Sequence, residues 1–133
     1  MNTWGPQPFD NDAAKMFVQE VLEDGPFALQ EAFEVVLDPD TDFVAQEEGA
    51  RAVAAAEILS AHLGGDTSAI FDAALRDWLG QLGSGQLAPL RELAAEALER
   101  VIGPHSDLPD FWADTEEGEF WLGNVARLRA ALG

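Results

Sequence analysis

Apolar residues recur along this chain at steps of three and four, and no segment sustains alternation at steps of two. Ala14, Phe17, Val18, Val21 and Leu22 share one helical face between about Asn11 and Glu23. Gly25 follows where a left-handed backbone commonly ends a helix. Pro26 then opens a second helix, at a position where its missing N–H costs nothing, and Leu29, Ala32, Phe33, Val36 and Leu37 form its stripe. Asp38-Pro39 ends that helix, because proline disfavours helical geometry in the residue before it.

The run EEGARAVAAAEILSAHLGG predicts a third helix. Glu47 and Glu48 occupy its first turn, favourably placed against the helix dipole, with Glu47 in register to pair with Arg51. Ala52, Ala54, Ala55 and Ala56 leave little side-chain bulk, so neighbours can approach closely and the helix belongs at the centre of a bundle. Gly64-Gly65 stops it. Asp66, Thr67 or Ser68 is the expected cap of a fourth helix carrying Ile70, Phe71, Ala74, Leu75, Trp78, Leu79 and Leu82.

A fifth helix is expected over about Ala88 to Ile102, with Leu90, Leu93, Ala94, Ala97, Leu98, Val101 and Ile102 on a broad apolar face. A short turn around Asp107 to Ala113 leads to a last helix, about Glu117 to Leu132, with its stripe at Trp121, Val125, Leu128 and Leu132. The fold class is therefore all-α: a single compact bundle of about five main helices plus a short one. One domain spans residues 1–133, residues 1–10 forming an extended N-terminal latch and residues 83–86 a flexible joint.

The latch is the segment WGPQPFDND. Asp10 is placed to cap the first helix, and Phe9 before it to pack back on the first turns near Ala14. Trp4 fills a groove, while Gly5, Pro6 and Pro8 shape and stiffen the approach. The competing reading makes Trp4, Asp10 and Asp12 the lining of a pocket.

Charge changes the picture more than any other compositional feature: 7 basic against 25 acidic residues give a net −18. Ten acidic residues run from Glu20 to Glu48 with no base between Lys15 and Arg51. No Lys or Arg stands between Arg100 and Arg127, where Asp107, Asp110, Asp114, Glu116, Glu117 and Glu119 accumulate. Such a field repels phosphate backbones, which argues against nucleic acid, and attracts a basic partner or divalent cations. The same terminal region is aromatic (Phe111, Trp112, Phe120, Trp121), apolar surface that a dimer would hide; the pattern does not set the oligomeric state. No segment approaches the about 18 apolar residues of a membrane span, and no signal peptide is evident, so a soluble, cytoplasmic protein is expected.

With 0 cysteines the chain has no thiol nucleophile, disulfide or thiolate metal site. Asp38, Asp40 and Asp42 alternate like the start of a calcium loop, but Phe43 and Gly49 stand where such a loop needs glycine and a bidentate Glu. They form at most a weak Ca or Mg site, and no cofactor is expected. His62 and His105 lack zinc-site spacing; His62 suits a helix C-terminus, and His105 is a lone acid–base candidate. Glu57, in AAAEIL, is the helical carboxylate most open to burial and joins Trp4 and Asp12 as a candidate binding residue. No serine sits in a nucleophile-elbow sequence, and no catalytic residue is assigned.

Taken together, WGPQPFDND, the Asp42-Phe43 pair and AAAE at Ala54 to Glu57 resemble a bacterial family, domain of unknown function 4259, whose members begin Trp-Gly-x-Gly-Pro-Phe-Asp-Asn-Asp. Trp4, Gly5, Pro8, Phe9, Asp10, Asn11 and Asp12 match that signature, and Gln7 departs from its glycine. The resemblance implies one small helical domain and carries no activity. The expected function is a non-enzymatic acidic protein-binding module, such as an antagonist or immunity-type protein for a basic partner. The alternatives are a divalent-cation-binding regulator using Asp38, Asp40 and Asp42, and an enzyme with its site between the N-terminal segment and the Glu57 helix.

Overall fold

The computed structural model describes residues 12–38, 40, 43–64, 70, 72–83, 85–113 and 115–132. Within them the chain is all-α. The helices are α1 (Asp12–Asp24), α2 (Pro26–Leu37), α3 (Gln46–Gly64), α4 (Ala73–Gln81), α5 (Arg91–Val101), α6 (Asp107–Ala113) and α7 (Gly118–Leu132), with a 3-10 turn at Ala88–Leu90. Short α6 is thus accompanied by six longer helices rather than about five. The latch at residues 1–10, with Trp4 and the Asp10 cap, lies outside the described residues.

Gly25 alone separates α1 from α2. Its N–H closes α1 on the Val21 carbonyl at 2.8 Å, and its own carbonyl accepts the Ala28 N–H at 3.0 Å. The residue has φ 70 and ψ −148: the φ is positive as expected, but the ψ is far from the left-handed helical value, in a region that only glycine enters without steric cost. Pro26 stands at the start of α2, and Leu29, Ala32, Phe33 and Val36 are buried as the stripe requires.

The centre of the bundle is α3, which packs against α1, α2, α5, α6 and α7. Every residue from Ala52 to Leu59 is buried, and the four alanines among them allow the surrounding helices to close in. At its N-terminus, Glu48 reaches back to accept the Ala45 N–H at 3.1 Å, one half of a capping box. The expected Glu47–Arg51 pair does not form among the described residues.

The fourth helix starts later than its apolar stripe suggested. Asp72 caps it, accepting the Leu75 N–H at 2.9 Å, so Ile70 is buried ahead of the helix rather than within it. Leu75 and Leu79 face inward, Trp78 and Leu82 are half-buried, and Ala74 is exposed. The earlier candidate caps Asp66, Thr67 and Ser68 lie outside the described residues. Next, Gly83 and Gln86 form a turn in which the Gln86 N–H donates to the Gly83 carbonyl at 3.0 Å. The fifth expected helix is divided: Pro89 lies in the 3-10 turn, and α5 proper begins at Arg91.

One isolated parallel bridge, Val44 with Ser106, joins the segment entering α3 to the segment entering α6. The Val44 N–H donates to the His105 carbonyl at 2.8 Å, and the Asp107 N–H donates to the Val44 carbonyl at 2.9 Å. Beside it, a Cβ on Gly49 would stand 2.7 Å from Cδ1 of Leu108, so α6 lies directly on the first turns of α3. Among the described residues no helix is long and apolar enough to cross a membrane.

Candidate functional site

Glu57 lies on α3 at 3% exposure, and its Oε1 accepts from Nη2 of Arg127 on α7 at 2.9 Å. A carboxylate held this far from water needs such a partner, since an unpaired buried charge is strongly disfavoured. The Arg127 side chain keeps 50% of its surface exposed. Two residues further along α7, Arg129 pairs with Glu99 of α5. These bonds fix the C-terminal half of α7 on the bundle, and they give Glu57 a role in positioning that helix.

The other end of α7 forms one wall of a cleft. The chain leaves α6 through a turn wound around the Trp112 carbonyl, which accepts the Thr115 N–H at 3.1 Å and the Thr115 hydroxyl at 2.9 Å. Gly118 comes so near that an added Cβ would stand 2.3 Å from the same carbonyl oxygen, so only glycine fits there. The tight turn folds α7 back beside α6 and brings Trp121 onto Trp112, with ring centroids 6.3 Å apart and planes 15° from parallel. Phe111 meets Trp112 edge-on at 5.1 Å.

Between these helices lies an open cleft of about 570 Å³. Pro109, Trp112, Trp121 and Leu122 supply its apolar lining, and the exposed Glu116 and Glu119 line it too. Neither carboxylate makes an ion pair among the described residues. Leu122 is 50% exposed and its neighbour Phe120 70% exposed, so this end of the bundle presents apolar side chains to solvent. The indole N–H of Trp112 is buried and has no acceptor among the described residues. A second, much smaller cavity, about 30 Å³, lies between α1, α2 and α3.

Among the described residues, the candidates read from the sequence do not come together in one site. Trp4 and Asp42 lie outside the described residues, and Asp12 is exposed at the first position of α1. Neither cavity is lined by Asp12 or by Glu57, whose carboxylate engages α7 instead. Asp38 uses its Oδ1 to accept the Asp40 N–H at 2.9 Å, the local bond of an Asp-rich turn. No group of three His, Asp or Glu side chains suited to a metal ion occurs among the described residues. His62 is half-buried in the last turn of α3, and His105 is exposed with its carbonyl in the Val44 bridge. Sequence reasoning did not assemble the α6–α7 cleft, although both of its signals were visible: four aromatics within Phe111 to Trp121, and carboxylates with no intervening Lys or Arg.

No match to the chain is found among curated proteins or among solved structures. The family profile described as "Domain of unknown function (DUF4259)" matches residues 2–124, nearly the whole length, and the chain belongs to that family.

Proposed function

We propose that this chain is a non-enzymatic binding module that docks a basic protein partner at the α6–α7 cleft. The observation that carries this reading is the composition of the cleft: an aromatic and aliphatic lining that includes the exposed Leu122, beside Glu116 and Glu119, with exposed Phe120 adjoining it. Apolar area supplies affinity when it is covered, and unpaired carboxylates next to it select a partner of positive charge. The net charge of −18 extends that preference over a longer range, steering a cationic partner inward at low ionic strength. An antagonist of a basic protein, acting in the cytoplasm, is the concrete form the reading takes.

The test is a titration with a fluorescently labelled polybasic peptide that also carries apolar side chains, followed by anisotropy. Binding is expected at low salt and is expected to weaken as salt rises. The double variant Phe120→Ser/Leu122→Ser, which leaves the charge unchanged, is expected to weaken binding by about tenfold, the equivalent of one lost apolar contact patch. Absence of binding at low salt, or equal binding by the variant, overturns the reading.

A further inference from the structure

We infer that the α6–α7 cleft receives an arginine side chain presented by a partner segment, an inference that rests on the binding-module reading above. Three observations restrict the ligand. Glu116 and Glu119 line the cleft without a cationic partner among the described residues, and no Lys or Arg occurs between Arg100 and Arg127 to supply one locally. Apart from Thr115, the remaining lining is apolar, with Trp112, Trp121 and Leu122 contributing to it. The volume of about 570 Å³ exceeds what a single small ion would fill.

An anionic ligand is repelled by this arrangement. A neutral apolar ligand would cover the carboxylates without compensating them, which is unfavourable. Of the cationic side chains, lysine carries a compact and strongly hydrated charge, whereas the guanidinium is planar, more weakly hydrated and able to lie on aromatic surface while forking to carboxylates. Its three-carbon stem suits the Leu122 side of the cleft, because such stems bury against apolar surface while the charged head stays hydrated or paired.

The experiment compares short capped peptides of the form Gly-Ala-X-Ala-Gly, with X as arginine, lysine or citrulline, and free arginine as a fourth probe. Binding is read from the indole N–H resonances of Trp112 and Trp121, with Trp78 of α4, which does not line the cleft, as the internal control. The arginine peptide is expected to shift the Trp112 and Trp121 signals, and the citrulline peptide, equal in shape but uncharged, to bind about tenfold more weakly or worse. Glu116→Gln/Glu119→Gln should weaken the arginine peptide by a similar factor, whereas Glu92→Gln/Glu96→Gln, an equal charge change on exposed positions of α5, should not. Free arginine binding as tightly as the peptide would overturn the partner-segment assignment.

Equal binding of the citrulline peptide, unmoved Trp112 and Trp121 signals, or an equal loss in the Glu92/Glu96 variant overturns the arginine site. Each of these leaves the broader reading standing if the polybasic peptide still binds in a Phe120- and Leu122-dependent way. Failure of that peptide as well removes both.

Discussion

Glu57 and Arg127 stand 70 positions apart in the chain and 2.9 Å apart in space, joining the buried middle of α3 to the surface of α7. Their environments are unequal: the carboxylate is buried and the guanidinium half-exposed. Losing the arginine therefore leaves a charge in the core, while losing the carboxylate leaves a cation that water can still solvate.

Arg127→Ala is accordingly expected to destabilise the fold by about 1–3 kcal/mol, below the range of a fully buried pair because half of the arginine already faces water. Urea unfolding followed by circular dichroism measures it. Glu57→Leu added to Arg127→Ala should recover part of the loss, since an apolar side chain suits the alanine-rich surroundings and no buried charge remains. Strict additivity of the two single changes would show that the residues are not coupled.

Gly118→Ala places a methyl group on the Trp112 carbonyl, where 2.3 Å separates the two atoms before relaxation. A backbone atom cannot rotate away as a side chain would, so the turn between α6 and α7 must open. The expected cost is about 1–3 kcal/mol, the usual range for forced overpacking. Because the same turn holds Trp121 on Trp112, the near-ultraviolet circular dichroism of the stacked indoles should fall in parallel. A variant with native stability and an unchanged aromatic spectrum would contradict the close approach.

Asp72→Ala removes the side chain that accepts the Leu75 N–H at 2.9 Å. An N-cap of this kind is worth about 1 kcal/mol, and the loss should appear as a lower unfolding midpoint without a change in denaturant slope.

The cap also shows where sequence reasoning stopped. Helical periodicity identified the stripes of α1, α2, α5 and α7 because each has one apolar face, and the buried positions Phe17, Phe33, Leu98 and Trp121 follow from spacing alone. The alanine run placed α3 centrally for the same reason: small side chains are compatible with close neighbours on every side. The start of α4 was not legible, since Asp66, Thr67, Ser68 and Asp72 are all competent caps and local chemistry does not rank them. Contacts distant in sequence were equally hidden. Nothing in AAAEIL names Arg127, and nothing in the aromatic terminal region shows that Trp121 returns onto Trp112, because both relations depend on how the helices assemble. Glu57 could be recognised as a carboxylate open to burial; its partner could not.

Ser106 makes the opposite case to Asp72 and is expected to respond with the opposite sign. It directly precedes α6, at the position where a serine hydroxyl ordinarily accepts an N–H from the second or third helical residue. Here the third residue is Pro109, which has no N–H to give, and the Ser106 hydroxyl is buried with no partner among the described residues. The side chain thus occupies a capping position without making a cap, at 2% exposure. The bonds of the adjacent bridge use Val44 with the His105 carbonyl and the Asp107 N–H, so alanine at 106 leaves them intact. Ser106→Ala should therefore cost nothing and is expected to stabilise the chain by up to about 1 kcal/mol, because a buried hydroxyl with no bond is relieved and the volume hardly changes. Parallel urea melts of Ser106→Ala and Asp72→Ala decide the matter. If both lose stability by the same amount, the Ser106 hydroxyl has an acceptor or donor in solution, a bound water being the simplest, and the α6 terminus is capped after all.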